Sequence, residues 1–383
     1  MRSPFPSSRR LCGAAVALLV AAATLLGGPA LAQPAKPAAS TAGPLIIANF
    51  GGANGAAQEL AFVRPFAQRS GLPLKVVETT GELAPIRRMV KGELPRWDVV
   101  EVESTDLAQG CAEGLFEPIE RPQLTHGAMM LPGTLRDCGV GAFVWSTVLA
   151  FDSARLKNAP TSWADFFDVT RFPGKRALRK GARYTLEIAL LADGVPRRDV
   201  YKVLATQTGQ TRALQKLDTL RPHLVWWESG AQPAQWLASG EVVMSSAFNG
   251  RIAAARKQPG GASLQSVWND AIYEFDYWAI VKGSPRKAEA LAYINHATSP
   301  DAQLAFAAAI PYGPTHLQAI MKHGERPRTA AAVDPHGSLV DLSMVASDLP
   351  SDPANLRRAV AFSADFWLQH GPALEPRVAG TAR

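Results

Sequence analysis

Residues able to make or break covalent bonds are scarce in this chain, and their spacing supports no reaction. No HExxH, CxxC, GxSxG or phosphate-loop pattern occurs, and the seven His residues are dispersed, none paired at helical spacing with a carboxylate. Ser284-Pro285-Arg286-Lys287 fits S-x-x-K in form, but a Ser directly before Pro at a helix start reads as an N-cap. Gly139-Val140-Gly141 is half of a dinucleotide fingerprint, and it precedes a strand instead of following one. What accumulates at strand ends suits binding: Phe50-Gly51-Gly52, Glu103-Ser104-Thr105-Asp106, Glu228, Phe248-Asn249 and the stretch from Asp270 to Asp276. Trp226, Trp227, Trp236, Trp268 and Trp278 lie in or beside the same half of the chain. Aromatic faces with a few carboxylates suit an organic ammonium, which they surround and neutralise. Any one Trp taken alone is ordinary core. No metal and no cofactor is expected.

A sheet must hold those tips. Trp97-Asp98-Val99-Val100-Glu101-Val102 breaks into Glu103-Ser104-Thr105-Asp106, the pattern of a buried strand with polar side chains at its carboxyl end. Open α/β sheets bind ligands at that edge, although an ordinary helix cap fits the same residues. Strand alternation aims Glu101 and Glu103 alike, and a structural role is open for both. Upstream, Leu45 to Phe50 reads as a strand, Ala53 to Arg69 as a helix closed by Gly71, Leu74 to Glu78 as a strand and Leu83 to Lys91 as a helix. Strands alternating with helices imply parallel β-α-β units.

The apolar run from Gly139 to Phe151 reads as a strand crossing into a second lobe, and Tyr273 to Val281 as the return crossing. Between them the pattern gives a helix around Trp163, Phe166 and Phe167, a turn at Pro173-Gly174, and a helix from Tyr184 to Leu191. Amphipathic segments follow at Asp199 to Ala205 and Thr211 to Leu220, then a strand from Leu224 to Trp227 and a helix from Gln232 to Ser239. Strands are expected at Val242 to Met244 and at Leu264 to Trp268. After the return come helices to Thr298 and from Pro300 to Ile310, a break at Pro311-Tyr312-Gly313-Pro314, and a helical remainder ending around Phe366-Trp367. The expected fold is α/β with two lobes: 44–146 as the first lobe, 147–279 as the second, and 280–383 as the first lobe's return with C-terminal helices.

Arg2, Arg9 and Arg10 precede an apolar run from Leu11 to Leu26, and Ala30-Leu31-Ala32 offers a small-residue cleavage site. Residues 1–32 are therefore read as a secretory signal peptide and 33–43 as an Ala/Pro-rich tether. A membrane anchor is the alternative, but the run is Ala-rich and marginal in length. Ser8-Arg9-Arg10-Leu11 leaves Sec and twin-arginine export both open. Cleavage would leave 351 residues, enough for two cores, and would remove three of the 40 basic residues, leaving 37 against 33 acidic ones, a balance of +4. These cations are scattered, without aromatic striping, so no nucleic-acid footprint is present. Cys111 and Cys138 would be the mature cysteines, and an oxidising compartment favours a disulfide between them.

Phe50-Gly51-Gly52, Trp97-Asp98-Val99-Val100, Gly114-Leu115-Phe116, Trp163-Ala164-Asp165-Phe166-Phe167, Phe172-Pro173-Gly174-Lys175-Arg176, Gly240-Glu241-Val242 and Pro311-Tyr312-Gly313-Pro314 together resemble the extracellular solute-binding proteins of ABC importers. The nearest likeness is to the spermidine/putrescine-binding type, from about residue 45 to the C-terminal region. The resemblance implies a type II periplasmic binding protein: two lobes, each a mainly parallel sheet flanked by helices, joined by a β-rich hinge. It also implies a monomeric periplasmic receptor, not an enzyme, that closes on a solute and delivers it to an inner-membrane permease. Carried over position by position, Phe50 is the first-loop aromatic, Ser104 the binding serine, Phe248 stands where Trp is common, Asp276 pairs with a ligand amine, and Tyr312 is the tyrosine of the last hinge segment.

Departures from the polyamine pattern are as informative. Gly51 and Gly52 replace an acid, Asp106 stands where an aromatic is common, and Lys180, Gly181 and Tyr184 lie where an acidic pair would hold further ammonium groups. The expected ligand set is therefore Phe50, Gly51, Gly52, Ser104, Thr105, Asp106, Tyr184, Glu228, Phe248, Asn249, Asp276 and Tyr312, for a polyamine such as putrescine or spermidine. The alternative is an amino acid or γ-amino acid whose carboxylate meets Arg179 or Arg183. A secreted hydrolase, the alternative of another class, would need a nucleophile–base pair that the sequence does not contain.

Overall fold

Aliphatic residues on both faces make Leu45–Asn49 (β1) a buried strand. It pairs in parallel with Leu74–Glu78 (β2) on one side and Val99–Glu103 (β3) on the other. The computed structural model describes residues 43–325, 331–333, 339–341 and 349–379; the segments expected to be a signal peptide (1–32) and, up to residue 42, a tether lie outside the described residues. One helical run joins β1 to β2: Gly52–Gln58, a wider π turn at Glu59–Val63, then Arg64–Ser70, ended by Gly71 at φ 69°. Its Phe62 stacks on Phe306 at 4.9 Å and meets Trp278 edge-on at 6.3 Å. A fully buried ring of this kind contributes ~1.5–3 kcal/mol over an exposed one.

Beyond the short strand Leu135–Arg136 (β4), two long strands run through the middle of the sheet. Gly139–Asp152 (β5) is buried along its whole length, and it pairs antiparallel with the 17-residue strand Leu264–Ile280 (β9). The second lobe supplies Arg176–Arg179 (β6), Leu224–Trp227 (β7) and Met244–Phe248 (β8), with β6 parallel to both neighbours. The sheet order is β2-β1-β3-β9-β5-β8-β6-β7. One parallel triplet therefore lies at each end, and β5 and β9 form the β-rich joint. A hairpin of Ala331–Val333 (β10) and Leu339–Asp341 (β11) stands apart, while Val360–Ala361 (β12) adds in parallel to β9. The Cys111–Cys138 disulfide, with Cα atoms 6.0 Å apart, ties the helix Ser104–Ala112 to the chain entering β5.

Several elements differ from the sequence expectation, each for a local reason. The strands expected at Leu264 to Trp268 and Tyr273 to Val281 are one strand. Asp270 takes φ 55° and the register with β5 slips between Thr147 and Leu149, so a bulge absorbs the polar Asn269-Asp270. β6 was hidden by its charge: Arg176 is fully buried and donates to the carbonyls of Phe166, Gly174 and Asp168. β8 lies later than the Val242 to Met244 pattern because the hydroxyls of Ser245 and Ser246 are satisfied inside the sheet. The last helix, Ala364–Ala379, continues past Trp367 despite Pro372 and Pro376, and Trp367 Nε1 donates to the buried Glu187 at 2.6 Å. β10, β11 and β12 replace part of the expected helical remainder.

Candidate functional site

A cavity of about 820 Å³ opens where the carboxyl ends of β1, β3, β7 and β8 face each other across β5 and β9. Aromatic rings wall it. Trp145 from β5 meets Phe248 edge-on at 4.9 Å, Tyr312 lies flat against Phe143 at 5.1 Å, and Phe50 closes the first-lobe side. Trp97 contributes another face. The tryptophans singled out by sequence are elsewhere: Trp227, Trp268 and Trp278 are core, and Trp226 and Trp236 pack against it.

Asp276 on β9 presents the cavity's buried carboxyl. Trp145 Nε1 donates to its Oδ1 at 2.7 Å, and Glu101 lies directly behind it. Burial, and then the negative charge of Glu101, push Asp276 well above the usual carboxylate range. Glu101 is raised as well, chiefly by burial, although Asn54, Gln58 and the amide of Phe50 all donate to it. Two residues before Asp276, the buried Glu274 is raised to about 8 by burial and by the charge of Glu103. It accepts hydrogen bonds from the Ser104 amide at 3.0 Å and from the hydroxyls of Ser104 and Tyr184.

Guanidinium groups face these acids from the second lobe. Arg179 grips Glu103 with both terminal nitrogens, at 3.0 and 3.4 Å, and lies over the rings of Tyr184 and Phe248. Burial alone would lower its pKa, but Glu103, Tyr184 and Glu274 together outweigh that and the net shift is upward. Arg183 sits 3.6–3.8 Å from Asp106, Glu103 and Glu375, along a side chamber of about 250 Å³ that continues from the main cavity. Burial raises Asp106 to about 6, against the pull of Arg183.

Arg251 is different. It lines the cavity from the helix Asn249–Arg256, lies against Tyr312, and its Nη2 donates to the carbonyls of Phe50 and Gly51, each at 3.3 Å. Its buried Nε has no acceptor, and among the described residues no carboxylate lies within ion-pair distance of it. The paired glycines make room for these side chains. With φ of 57° and 55°, a Cβ on Gly51 would fall 1.8 Å from Glu78 Oε1, and one on Gly52 would fall 2.2 Å from Arg251 Nη1. The first-loop acid missing from the sequence therefore has a neighbour in Glu78, which lines the cavity from the end of β2.

Of the residues selected by sequence, Phe50, Gly52, Glu228, Phe248, Asp276 and Tyr312 line the main cavity, and Asp106 lines its side chamber. Glu228 is paired with Lys180 at 2.9 Å on the exposed rim. Gly51 forms the turn behind Glu78. Ser104, Thr105, Tyr184 and Asn249 are not on the cavity surface. Ser104 and Tyr184 hold Glu274, Thr105 is buried with its hydroxyl unpaired, and Asn249 joins the Ser146 amide to the Pro311 carbonyl. Sequence reasoning missed Arg251, Trp145, Trp97 and Glu78 as cavity residues, and it placed Glu103 at a binding strand end without choosing it as a ligand residue. The same strand-end rule that selected Phe248 would have reached Arg251 three positions later, had basic side chains been sought.

The model for bacterial extracellular solute-binding proteins matches residues 61–324. A gamma-aminobutyric acid-binding protein of Pseudomonas aeruginosa is 49% identical over 334 residues, covering 87% of this chain and 89% of that one. Among solved structures, PBP MotA from A. tumefaciens B6 in complex with glucopine superposes with a TM-score of 0.78 at 29% identity, covering 89% of this chain and all of that one. The Atu4243 GABA receptor superposes with a TM-score of 0.74 at 29% identity, covering 89% and 98%. The two-lobed architecture, its β-rich joint and the match over most of the sequence agree: this chain belongs to the bacterial extracellular solute-binding proteins, with the type II binding-protein fold.

Proposed function

We propose that the chain is the periplasmic receptor of an ABC importer and that its solute is a small zwitterion of the γ-amino acid kind, in place of a polyamine. The observation that carries this is Arg251, a guanidinium on the cavity wall with no carboxylate partner among the described residues. A polyamine would bring it only like charge. A solute carboxylate gives this guanidinium a counter-charge, while the ammonium faces Asp276 and the methylenes lie between Phe50, Trp145, Phe248 and Tyr312. The 49% identical relative is a gamma-aminobutyric acid-binding protein, which supports the same solute class. Arg179 and Arg183, the cations first considered for this role, are already engaged by Glu103, Asp106 and Glu375.

In this reading the lobes 44–146 with 280–383, and 147–279, close about the crossings near Trp145 to Leu149 and Trp278 to Val281. The closed form then docks, as a single copy, on an inner-membrane permease. The test is a thermal-shift and calorimetric panel of GABA, 5-aminovalerate, β-alanine, putrescine and spermidine. A ligand at 100-fold its Kd adds about 2.7 kcal/mol of stability, which a melting curve resolves. GABA or a neighbour in chain length should stabilise the protein. Stabilisation by putrescine or spermidine with none by the amino acids would overturn the assignment.

A further inference from the structure

Glu101 never reaches the cavity, yet it is the immediate partner of the carboxyl that does. It is fully buried on β3, and its oxygens accept three N–H bonds: from Asn54 Nδ2 at 2.8 Å, Gln58 Nε2 at 2.8 Å and the Phe50 amide at 3.2 Å. Asp276 accepts one, from Trp145 Nε1. Glu101 and Asp276 are diagonal neighbours on one face of the β3–β9 ladder, both buried, and two carboxyls so placed with no cation between them hold one proton. The donor count decides where it resides. Three donors stabilise an anion on Glu101, so Asp276 carries the proton.

Other charged and titratable groups surround the pair. Glu103 comes from β3, Glu274 and Tyr277 from β9, Tyr312 from the segment before Leu317–Glu325, and Tyr293 from the helix Lys287–Ala297. The nearby cations are engaged elsewhere or face another way: Arg179 holds Glu103, and Arg251 lies against Tyr312 and the first-loop carbonyls. Burial and the Glu101 charge both favour the protonated form of Asp276, as found above.

We propose that Glu101 is a positioning residue that keeps one proton on Asp276 in the empty receptor, and that seating a ligand ammonium against Asp276 expels this proton to solvent. The inference rests on the assignment of the ammonium end to Asp276. Its charge balance is simple. Empty, the pair is one acid and one carboxylate, net −1; loaded, it is two carboxylates facing one ammonium, again −1, with one H⁺ released. Buried charge is therefore conserved across the exchange. An empty site with both groups ionised would instead hold two uncompensated carboxylates, which is strongly unfavourable.

The test is titration calorimetry of the unmodified protein with GABA at pH 7, in phosphate and in Tris, whose ionisation enthalpies differ widely. The dependence of apparent enthalpy on buffer gives the proton number. About one proton released per GABA is expected, with affinity rising up to ~10-fold per pH unit between pH 6 and 8. GABA binding without proton release refutes the inference and leaves the solute assignment standing; failure of GABA and its homologues to bind refutes the assignment itself. Glu101→Gln tests the residue. Its amide can donate to an ionised Asp276, so GABA binding should persist while proton release and pH dependence fall towards zero. A Glu101→Gln protein that binds GABA and still releases one proton refutes the role of Glu101. If that variant does not fold, Trp145→Phe provides the second test. Removing the one donor to Asp276 should keep the proton release and shift the affinity–pH profile upward, and an unchanged profile counts against the proposal.

Discussion

Replacing Arg251 by Gln isolates the carboxylate end of the site. The substitution removes the charge and the unpaired Nε but keeps a polar side chain over the first loop. In the empty protein it forfeits two long bonds, each 3.3 Å, to the carbonyls of Phe50 and Gly51, while Gln can still meet the neighbouring Tyr312 hydroxyl. Weak bonds of that length are worth at most about 1 kcal/mol in total, so the melting temperature should barely move. A solute carboxylate held by a guanidinium is worth more, roughly 1.5–3 kcal/mol for a charge-assisted contact, which is about 10- to 150-fold in Kd. The assay is calorimetry of parent and variant with GABA and with its carboxamide, which keeps the ammonium and loses the anion. The parent should prefer GABA by at least about 10-fold, and the variant should bind both alike. If the variant keeps the parent's preference for GABA, Arg251 does not hold the carboxylate and the proposed orientation fails.

Three further outcomes follow from the same geometry. Glu103→Gln breaks the two-pronged contact with Arg179 that joins β3 to β6, so small-angle scattering of the empty protein should show a larger radius of gyration; an unchanged radius removes this pair from the closure mechanism. Burial raises Glu187 to about 7 and Glu274 to about 8, so each stays protonated when folded after the unfolded chain has ionised. Their contribution is fully present below about pH 4.5 and is lost as pH rises through 7 to 8, so chemical denaturation should give lower stability at pH 8.5 than at pH 5.5, by up to several kcal/mol. Reducing Cys111–Cys138, which are 27 residues apart, should cost about 3–4 kcal/mol, read as a lower denaturation midpoint without loss of the binding site.

The lobed α/β architecture was legible because alternating strands and helices have opposite periodicities, and because β5 is apolar for its whole length. That Phe50, Phe248 and Asp276 lie on the cavity wall was legible for a related reason: each ends or interrupts an apolar run at the carboxyl edge of the sheet. Less visible was which polar residues turn inward. Ser104 and Tyr184 belong to Glu274, 170 and 90 residues away, and no local pattern encodes such a partnership. Glu101 and Glu103 alternate on one strand and look equivalent, yet one is enclosed by amides and the other reaches Arg179. β6 failed as a sequence pattern because Arg176 spends its charge on three carbonyls, a solution that only the folded loop at Phe166 to Gly174 makes possible.

The placement of β9 between β3 and β5 has a consequence for how the molecule forms. The first lobe's strands are made early in the chain, but β3 has no inner neighbour until residues near 280 arrive, and the amide of Ser104 waits for Glu274. Closing a loop of 170 residues costs on the order of 4–5 kcal/mol of chain entropy before any contact rewards it. β12 then completes the bulged part of β9 from later still. Topologies of this kind refold slowly because the decisive pairings are remote. The nascent chain therefore has a long interval in which its N-terminal strands exist without their central partner, and a fragment ending before Leu264 should leave β3 with a bare edge and no native core against it.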